Sequence, residues 1–455
     1  MQDWQAFNAI FYVPHIEYFV YYQIVLIRDK MKKFILVFCA VMGISPVGIA
    51  APQEPIFSVV EKEQKPYLST LKELVSIESG SRNREGLDKI SQLIFNRLKA
   101  LGGQVEFIEP DASMYRMHDT PEKPGRMVKA EFKGSGTKKI LLIAHMDTVY
   151  LKGMLAKQPF RVDGDRAYGL GISDDKQGIA LILHTIDSLK KLKFNEYGKI
   201  TVLINGDEEI SSPAARAYFS KLGAEHDVTF SCEASQAKSD RIALTTAGIA
   251  AVNLNITGKA SHAGSAPELG RNALDELSFQ IQQMRDLSDP KEGIKMNWTL
   301  ANAGTNRNVI PSVAFATADV RVMKKEDFDV VEKKVRERAK TQQIPDTKID
   351  LGFERRRPPL LTSPQSLQMA EFAKKVYAEL GRDLILGTVA AGGGTDAAFA
   401  ALDTQNPVIE SMGVQGFGAH SNDDEYILVS SITPRMYLLS RLIMDISKGK
   451  IGDRN

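Results

Sequence analysis

The chain has 455 residues, of which 43% are hydrophobic, and its 58 Lys and Arg residues nearly balance its 56 Asp and Glu residues. This composition is typical of a globular protein long enough for two domains with a large buried core. The formal net charge of +2, without long basic runs, excludes nucleic acid and an anionic membrane as primary ligands. The two cysteines, Cys39 and Cys232, are too few and too far apart for disulfides to stabilise the fold.

Residues 31–50 have the features of a secretory signal peptide. Two lysines come before an apolar run over 34–42, and small residues follow up to a cleavage point near Ala50. The run is shorter than the roughly 20 apolar residues that span a bilayer. We therefore expect a periplasmic or secreted protein with no stable membrane anchor after cleavage. Residues 1–30 fit neither a signal nor a span, and translation from Met31 would leave them out.

The next part of the chain has the pattern of an α/β domain. Apolar residues at helical spacing over 86–102 predict an amphipathic helix. Continuous apolar runs at 140–144 and 200–204 predict strands that are buried on both faces of a mainly parallel sheet. A helical stretch over 178–192 completes a β-α-β unit, and a third strand is predicted at 228–232.

After residue 247 the pattern changes to that of a smaller α+β domain. Apolar and polar residues alternate over 252–257 and 312–322, which predicts antiparallel strands with one solvent-facing side. Helical spacing follows at 274–284 and 326–342. We expect the following division: a leader, 1–50; an α/β catalytic domain, 55–247 and 356–450; and an inserted α+β domain, 248–355.

Histidine and acidic residues directly follow each of the three buried strands: His145 and Asp147, then Glu208 and Glu209, then Glu233. In open α/β sheets ligands bind beyond the carboxyl ends of the strands, so these side chains should meet in one crevice. Asp174 lies in a glycine-rich loop just before the crossover helix. The pattern predicts a cluster of carboxylates and imidazoles at this edge of the sheet.

Such a cluster would repel itself strongly unless a cation were bound. A pair of divalent ions would relieve the repulsion, and nitrogen and oxygen ligands without thiolate favour zinc or a similar ion. Each piece alone has an ordinary explanation, since a His-x-Asp pair can be a hydrogen-bonding pair, two Asp residues before a helix can cap it, and Asp-Glu-Glu can be a solvated turn. Their occurrence at three successive strand ends favours the metal site.

Five segments stand in the order of the metal motifs of the M20 family of zinc exopeptidases: His145-Met-Asp147, Gly171 to Gly178, Asp207-Glu208-Glu209, Glu233, and Gly418-Ala-His420-Ser. The chain resembles this family from about residue 56 to its C-terminal helix, and is most similar to the secreted bacterial glutamate carboxypeptidases that cleave C-terminal glutamate from folates. The resemblance implies two zinc ions per subunit bridged by Asp174. His145 and Glu233 would complete one set of ligands, and Glu209 and His420 the other.

The resemblance also implies the roles of three further residues. Asp147 would orient the imidazole of His145. Glu208 would act as general base on the water that bridges the metals. His262 would donate a hydrogen bond to the developing oxyanion, reaching the site across a subunit interface or on domain closure. The inserted domain would then be a ferredoxin-like lid through which the protein forms a homodimer.

A carboxypeptidase must also bind the free carboxylate of a peptide or N-acyl amino acid. Arg321, on an alternating strand, and Arg357, beside a proline, are predicted to make bidentate contacts with it. Asn308, Gly394 and Thr395 are predicted to add polar contacts. The ordinary alternatives are a solvated face for the arginines at 355–357 and a tight turn for the glycines at 392–394.

Three other functions stay open. An aminoacylase, deacylase or dipeptidase could use the same metal site on the same scaffold. A non-catalytic binding protein could keep the fold, although the intact ligand set and Glu208 argue against it. A nucleotide-phosphate loop at 169–178 is disfavoured because the phosphate-binding glycine patterns are missing. Gln177 stands where the family more often has glycine, and we expect it to bear on substrate preference rather than on metal binding.

Overall fold

The computed structural model describes residues 51–421 and 424–451, so the predicted signal peptide at 31–50 and the segment 1–30 lie outside the described residues. Within this part, no helix is both long and apolar enough to cross a membrane. The α-helices of this part are α1 Ile56–Lys62, α2 Gln64–Val75, α3 Arg84–Ala100, α4 Gln177–Lys191, α5 Arg216–Glu225, α6 Ala273–Gln283, α7 Asp327–Arg338, α8 Pro364–Ala378, α9 Ala397–Ala400 and α10 Ile432–Ser447.

The longest strands lie in the inserted segment. In chain order the strands are β1 Gln104–Ile108, β2 Met127–Lys133, β3 Lys139–His145, β4 Arg161–Asp163, β5 Arg166–Tyr168, β6 Lys199–Asn205, β7 Val228–Ser231, β8 Ser235–Gln236, β9 Arg241–Ala243, β10 Gly248–Thr257, β11 Lys295–Ala303, β12 Val313–Val322, β13 Lys348–Arg357, β14 Ile385–Gly387, β15 Val408–Ile409, β16 Gln415–Phe417 and β17 Tyr426–Leu428.

A six-stranded sheet with the order β1-β2-β6-β3-β7-β15 forms the centre of the larger domain. Strands β6, β3, β7 and β15 are parallel, and β1 and β2 add an antiparallel edge. Alternate residues of β3 point to opposite faces: Leu142 joins the core that contains α4 and α10, whereas Leu141 joins the core that contains α5. Because both faces are covered, the strands are continuously apolar, as the sequence predicted. The predicted α/β fold class is confirmed.

A separate four-stranded antiparallel sheet has the order β11-β12-β10-β13. Val252, Leu254 and Ile256 of β10 lie on the face that packs against α6 and α7, as the alternation predicted. The opposite face of β10 is less exposed to solvent than the alternation predicted. Its residue Asn253 is buried and accepts a hydrogen bond from the Thr317 hydroxyl at 2.9 Å. All four strands lie between residues 248 and 357, while the exact domain boundaries stay predictions.

Candidate active site

A histidine or an acidic residue lies at the crevice end of each parallel strand of the central sheet or within three residues after it. His145 closes β3, Glu208 opens a single helical turn after β6, and Glu233 follows β7. The same rule holds for β15, which is followed directly by the buried Glu410. Glu410 was not among the predicted site residues, although a carboxylate directly after a predicted strand at 407–409 was a signal for it.

Asp147 fixes both His145 and the turn that carries the two glutamates. The Nδ1 atom of His145 lies 3.1 Å from the Asp147 carbonyl oxygen and 3.4 Å from its Oδ1. The carboxylate of Asp147 also accepts hydrogen bonds from the backbone N–H groups of Glu208 and Glu209, at 3.0 and 3.1 Å, and from the Ser81 hydroxyl at 2.8 Å. With Nδ1 engaged as a donor, the lone pair of His145 Nε2 is directed into the crevice.

The two carboxylate oxygens of Asp174 face two different groups of side chains. Asp174 Oδ1 lies 2.9 Å from His145 Nε2, and Asp174 Oδ2 lies 3.2 Å from His420 Nε2. His420 Nε2 is also 3.2 Å from Glu209 Oε2. Asp174 is therefore shared by one group with His145 and Glu233 and by another with Glu209 and His420, each with ligand atoms within 4.8 Å of one another.

The geometry of both groups fits zinc. Zn–N and Zn–O bonds of about 2.0 to 2.1 Å place tetrahedral ligand atoms roughly 3.3 Å apart. The spacings of 2.9 and 3.2 Å between Asp174 and the two histidines are close to that value. Glu209 Oε1 is buried and has no hydrogen-bond partner among the described residues, so it is available as a ligand.

The electrostatics of the crevice also favour a bound cation. Burial and the nearby charge of Asp174 raise the pKa of Glu209 to about 8. Burial, together with the charge of Glu410, raises the pKa of Glu233 well above its usual value. Hydrogen bonds with Asp174 and Glu209 raise the pKa of His420 to about 10. The protein thus holds several carboxylates that resist ionising together, and a divalent ion would stabilise their charged forms.

Glu208 lies beside these groups but belongs to neither of them. Its carboxylate pairs with the guanidinium of Arg357, which also donates to the Glu208 carbonyl at 2.8 Å and to the Gly394 carbonyl at 2.9 Å. Arg357 is 3% exposed and lies 3.4 Å from Asp396 as well. Its guanidinium is engaged by protein groups in this structure, and its predicted contact with substrate stays a prediction.

Arg321 lies at the end of β12, next to the glycine loop that was predicted to contact substrate. Its guanidinium binds Asp319 through two nitrogens, at 2.9 and 3.0 Å, and donates to the Gly392 carbonyl at 3.1 Å. Gly394 has no room for a side chain, since a Cβ there would come within 2.9 Å of the Ala247 carbonyl oxygen. The structure therefore brings Arg321 close to the loop containing Gly394 and Thr395.

His262 and Asn308 lie together in the inserted segment. The backbone N–H groups of Gly264 and Ser265 both donate to His262 Nδ1 at 3.1 Å, so the ring proton of the neutral imidazole is on Nε2. The Asn308 carbonyl accepts a hydrogen bond from the N–H of Ala263 at 2.9 Å. Within residues 51–421 and 424–451, neither side chain contacts the carboxylates of the crevice. The predicted roles of His262 and Asn308 therefore stay predictions.

The side chain of Gln177 is fully buried in the protein interior. Its amide nitrogen donates to Asp175 Oδ1 at 2.6 Å and to the Cys232 carbonyl at 2.8 Å. Its amide oxygen accepts from the Val414 N–H at 2.8 Å. This side chain joins the Asp174 loop to the strand end before Glu233, which is a structural contact that the sequence did not indicate.

A third group of potential ligands, Glu63, His184 and Asp187, lies elsewhere in the chain. Both ring nitrogens of His184 are engaged, at 2.9 Å from Glu63 and 2.8 Å from the Thr70 hydroxyl. Lys191 pairs with both carboxylates. The ammonium group of Lys191 therefore already balances the negative charge of Glu63 and Asp187, so this group needs no metal ion, unlike the two groups in the crevice.

Comparisons with known proteins agree with this geometry. Residues 141–445 match the profile described as Peptidase family M20/M25/M40. Carboxypeptidase G2 from Pseudomonas sp. (strain RS-16) is 42% identical over 395 residues, covering 87% of this chain and 92% of the relative. Acetylornithine deacetylase from Proteus mirabilis (strain HI4320) is 27% identical over 231 residues, covering 49% of this chain and 55% of that protein.

Solved structures have the same fold. The structure of the di-peptidase Dug1p from Saccharomyces cerevisiae matches with a TM-score of 0.72, covering 86% of this chain and 98% of that chain. Its sequence is only 14% identical, so this likeness concerns the fold alone. The profile match and the 42% identity show that the chain belongs to peptidase family M20, a family of metal-dependent hydrolases of peptide bonds.

Proposed function

We propose that this chain is a dizinc exopeptidase that hydrolyses the amide bond to a C-terminal glutamate in folate-type or N-acyl-glutamate substrates. The observation that carries the proposal is the position of Asp174, whose two carboxylate oxygens face separate groups of potential metal ligands. The similarity to a protein named Carboxypeptidase G2 supports the choice of a carboxypeptidase. Periplasmic or secreted localisation, with the signal peptide removed, is part of the same proposal.

Five residues of the chain would hold the two ions. His145 and Glu233 would hold one ion, Glu209 and His420 the other, and Asp174 would be shared by both. When bound, the ions would polarise the scissile carbonyl and lower the pKa of the attacking water. Asp147 would keep His145 in the tautomer that presents Nε2 as a ligand.

Glu208 would act as the general base. Burial raises its pKa, and the neighbouring charge of Arg357 opposes that effect by favouring the carboxylate form. The ionised Glu208 would accept the proton of the attacking water and then pass it to the nitrogen of the leaving amine. Its position outside both ligand groups leaves its oxygens free of a metal bond.

His262 would stabilise the negative charge that develops on the carbonyl oxygen. The backbone N–H groups at Nδ1 keep its Nε2 proton available for donation. We propose that it reaches the crevice by domain closure or from the partner in a homodimer. The edge strand β11, whose residues are largely exposed, is where the four-stranded sheet could pair with a second copy.

Release of glutamate and metal content, measured together, test this function. We expect purified protein to contain about two zinc ions per chain and to release glutamate from pteroylglutamate or benzoylglutamate. A chelator should abolish this activity, and added zinc should restore it, because the ions activate the attacking water. Metal-free protein with full activity would contradict the proposal.

A deacylase or dipeptidase on the same scaffold is the second candidate, since acetylornithine deacetylase is among the relatives. Comparing kcat/KM for benzoylglutamate, N-acetylornithine and simple dipeptides separates the two. A higher kcat/KM for N-acetylornithine or a dipeptide than for every N-acylglutamate would favour the second candidate. Zinc-loaded protein that hydrolyses none of these amides would instead indicate a binding protein.

The Arg321→Met variant tests carboxylate recognition. Loss of a charge-assisted contact costs about 1.5 to 3 kcal/mol, so we expect kcat/KM for benzoylglutamate to fall roughly 10- to 100-fold. Asp319, which pairs with Arg321, would then face the substrate carboxylate unpaired and add to the loss. Steady-state kinetics on benzoylglutamate and on its α-carboxamide measure the effect, because the variant should lose the preference for the free acid.

Arg355→Met is the matched control for this prediction. Arg355 lies on β13, is exposed and pairs with Asp329 and Glu332, so its removal should leave the preference unchanged. If Arg321→Met kept the wild-type preference for the free carboxylate, another residue would have to bind that group.

A further inference from the structure

Glu425 is a buried carboxylate next to the crevice that none of the roles above uses. It is 3% exposed and directly precedes β17. Its Oε2 accepts the Gly171 N–H at 2.8 Å, and its Oε1 accepts the N–H groups of Ser173 and Asp174 at 2.8 and 3.1 Å. A single side chain therefore binds three backbone donors of the loop that ends in the shared ligand.

Tyr150 connects this carboxylate to the segment that carries His420. The Tyr150 hydroxyl lies 2.5 Å from Glu425 Oε2 and 2.9 Å from the carbonyl oxygen of Ser421, the residue after His420. Tyr150 is itself buried and follows β3 by five residues. Glu425 and Tyr150 thus contact the backbone on both sides of the contact between Asp174 and His420.

We propose that Glu425 is a positioning residue that sets the spacing of the zinc ligands. It fixes the backbone at Asp174, and through Tyr150 it fixes the His420 segment, so that both oxygens of Asp174 keep their directions. Residues 172–176 form a single irregular turn in which Asp174 and Asp175 depart from helical φ and ψ, so regular helical geometry does not by itself fix the direction of the Asp174 side chain. This inference rests on the proposed two-zinc site and adds the means by which the chain holds it.

The Glu425→Gln variant tests the proposal with zinc itself as the probe. The side-chain amide has the same shape but turns an NH₂ donor toward N–H donors of the loop, so the loop should shift. We expect zinc affinity, measured by competition with a chelator, to fall roughly 10- to 100-fold, as for other residues that orient metal ligands. At limiting zinc kcat should fall while KM stays within about twofold, and excess zinc should restore part of the activity.

Glu276→Gln is a matched control for general destabilisation. Glu276 is a fully buried carboxylate of the inserted segment that accepts backbone N–H bonds from Gln343 at 2.9 Å and Ile344 at 2.6 Å. It lies on α6, far along the chain from every proposed ligand. Both variants should lower the melting temperature, and only Glu425→Gln should weaken zinc binding.

Tyr150→Phe provides a second, milder variant that keeps the aromatic ring. It should weaken zinc binding several-fold with little change in melting temperature, since one hydrogen bond is worth about 1 kcal/mol. If Glu425→Gln does not fold, Tyr150→Phe tests the inference alone. Unchanged zinc affinity in Tyr150→Phe would then overturn it.

Two other results would also overturn it. One is wild-type zinc affinity in folded Glu425→Gln, and the other is an equal loss of affinity in Glu276→Gln. These results leave the proposed function standing, because they presuppose a wild-type protein that binds two zinc ions. A wild-type protein without zinc affinity would overturn the proposed function and the inference together.

Discussion

Asp174→Asn is expected to remove both metal ions and to lower kcat/KM by at least about 10³-fold, since metal activation contributes several kcal/mol to transition-state stabilisation. The reason is that Asp174 is the residue common to both ligand groups. An amide supplies one neutral oxygen in place of two charged ones, so one group loses its ligand and the other keeps only a weaker, neutral one. Elemental analysis and release of glutamate from benzoylglutamate measure the two effects on the same sample.

A graded series separates a shared ligand from an unshared one. Glu209→Gln alters only the group with His420, and we expect it to lose one ion and keep the other. Asp187→Asn is the matched control, because Asp187 belongs to the group that Lys191 already neutralises. Retention of both ions in Asp174→Asn would show that this carboxylate is not the bridge.

Glu208→Gln is expected to lower kcat by about 10²- to 10⁴-fold while both zinc ions stay bound, which is the range for loss of a general base. The glutamine has the same shape but cannot accept the proton of the attacking water. The substrate contacts are unchanged, so KM should change little. Arg357 keeps Asp396 as a partner at 3.4 Å, which limits the destabilisation caused by the lost carboxylate.

The metal content of the variant distinguishes a base from a ligand. Glu208→Gln with near-normal turnover would show that another group takes the proton. Glu208→Gln with lost zinc would instead make Glu208 a ligand, contrary to its position outside both groups. Glu276→Gln is again the control for removing a buried carboxylate, and its kcat should equal that of the wild type.

The central sheet could be predicted because its physical signal is local. Strands β3 and β6 are buried on both faces, so their residues are continuously apolar and their ends are marked by His145 and Asn205. The residues that follow these strands meet at one edge of the sheet because the strands are parallel. Glu410 obeys the same rule, because it directly follows the strand that the sequence also predicted at 407–409, although it was not among the predicted site residues.

The contacts of other side chains could not be predicted. Asn253 was expected to face solvent, and it is buried because β10 is an interior strand whose neighbour β12 offers the Thr317 hydroxyl. The sequence also did not indicate that the amide of Gln177 binds the backbone of Cys232 and Val414 in the interior, and the expectation that Gln177 bears on substrate preference stays a prediction. A sequence shows that a side chain is polar but not which neighbour it will meet.

The sequence by itself determined the fold class and the order in which the acidic and histidine residues of the crevice follow the strands. These properties depend on runs of apolar residues and on the residue types that follow them, and both can be read along the chain. Only the tertiary structure decided that Glu208 pairs with Arg357, 149 positions away, and that Glu425 binds the backbone of Asp174, 251 positions away. Such contacts arise when distant segments pack together, and because they have no periodicity in the sequence, they become visible only in the folded chain.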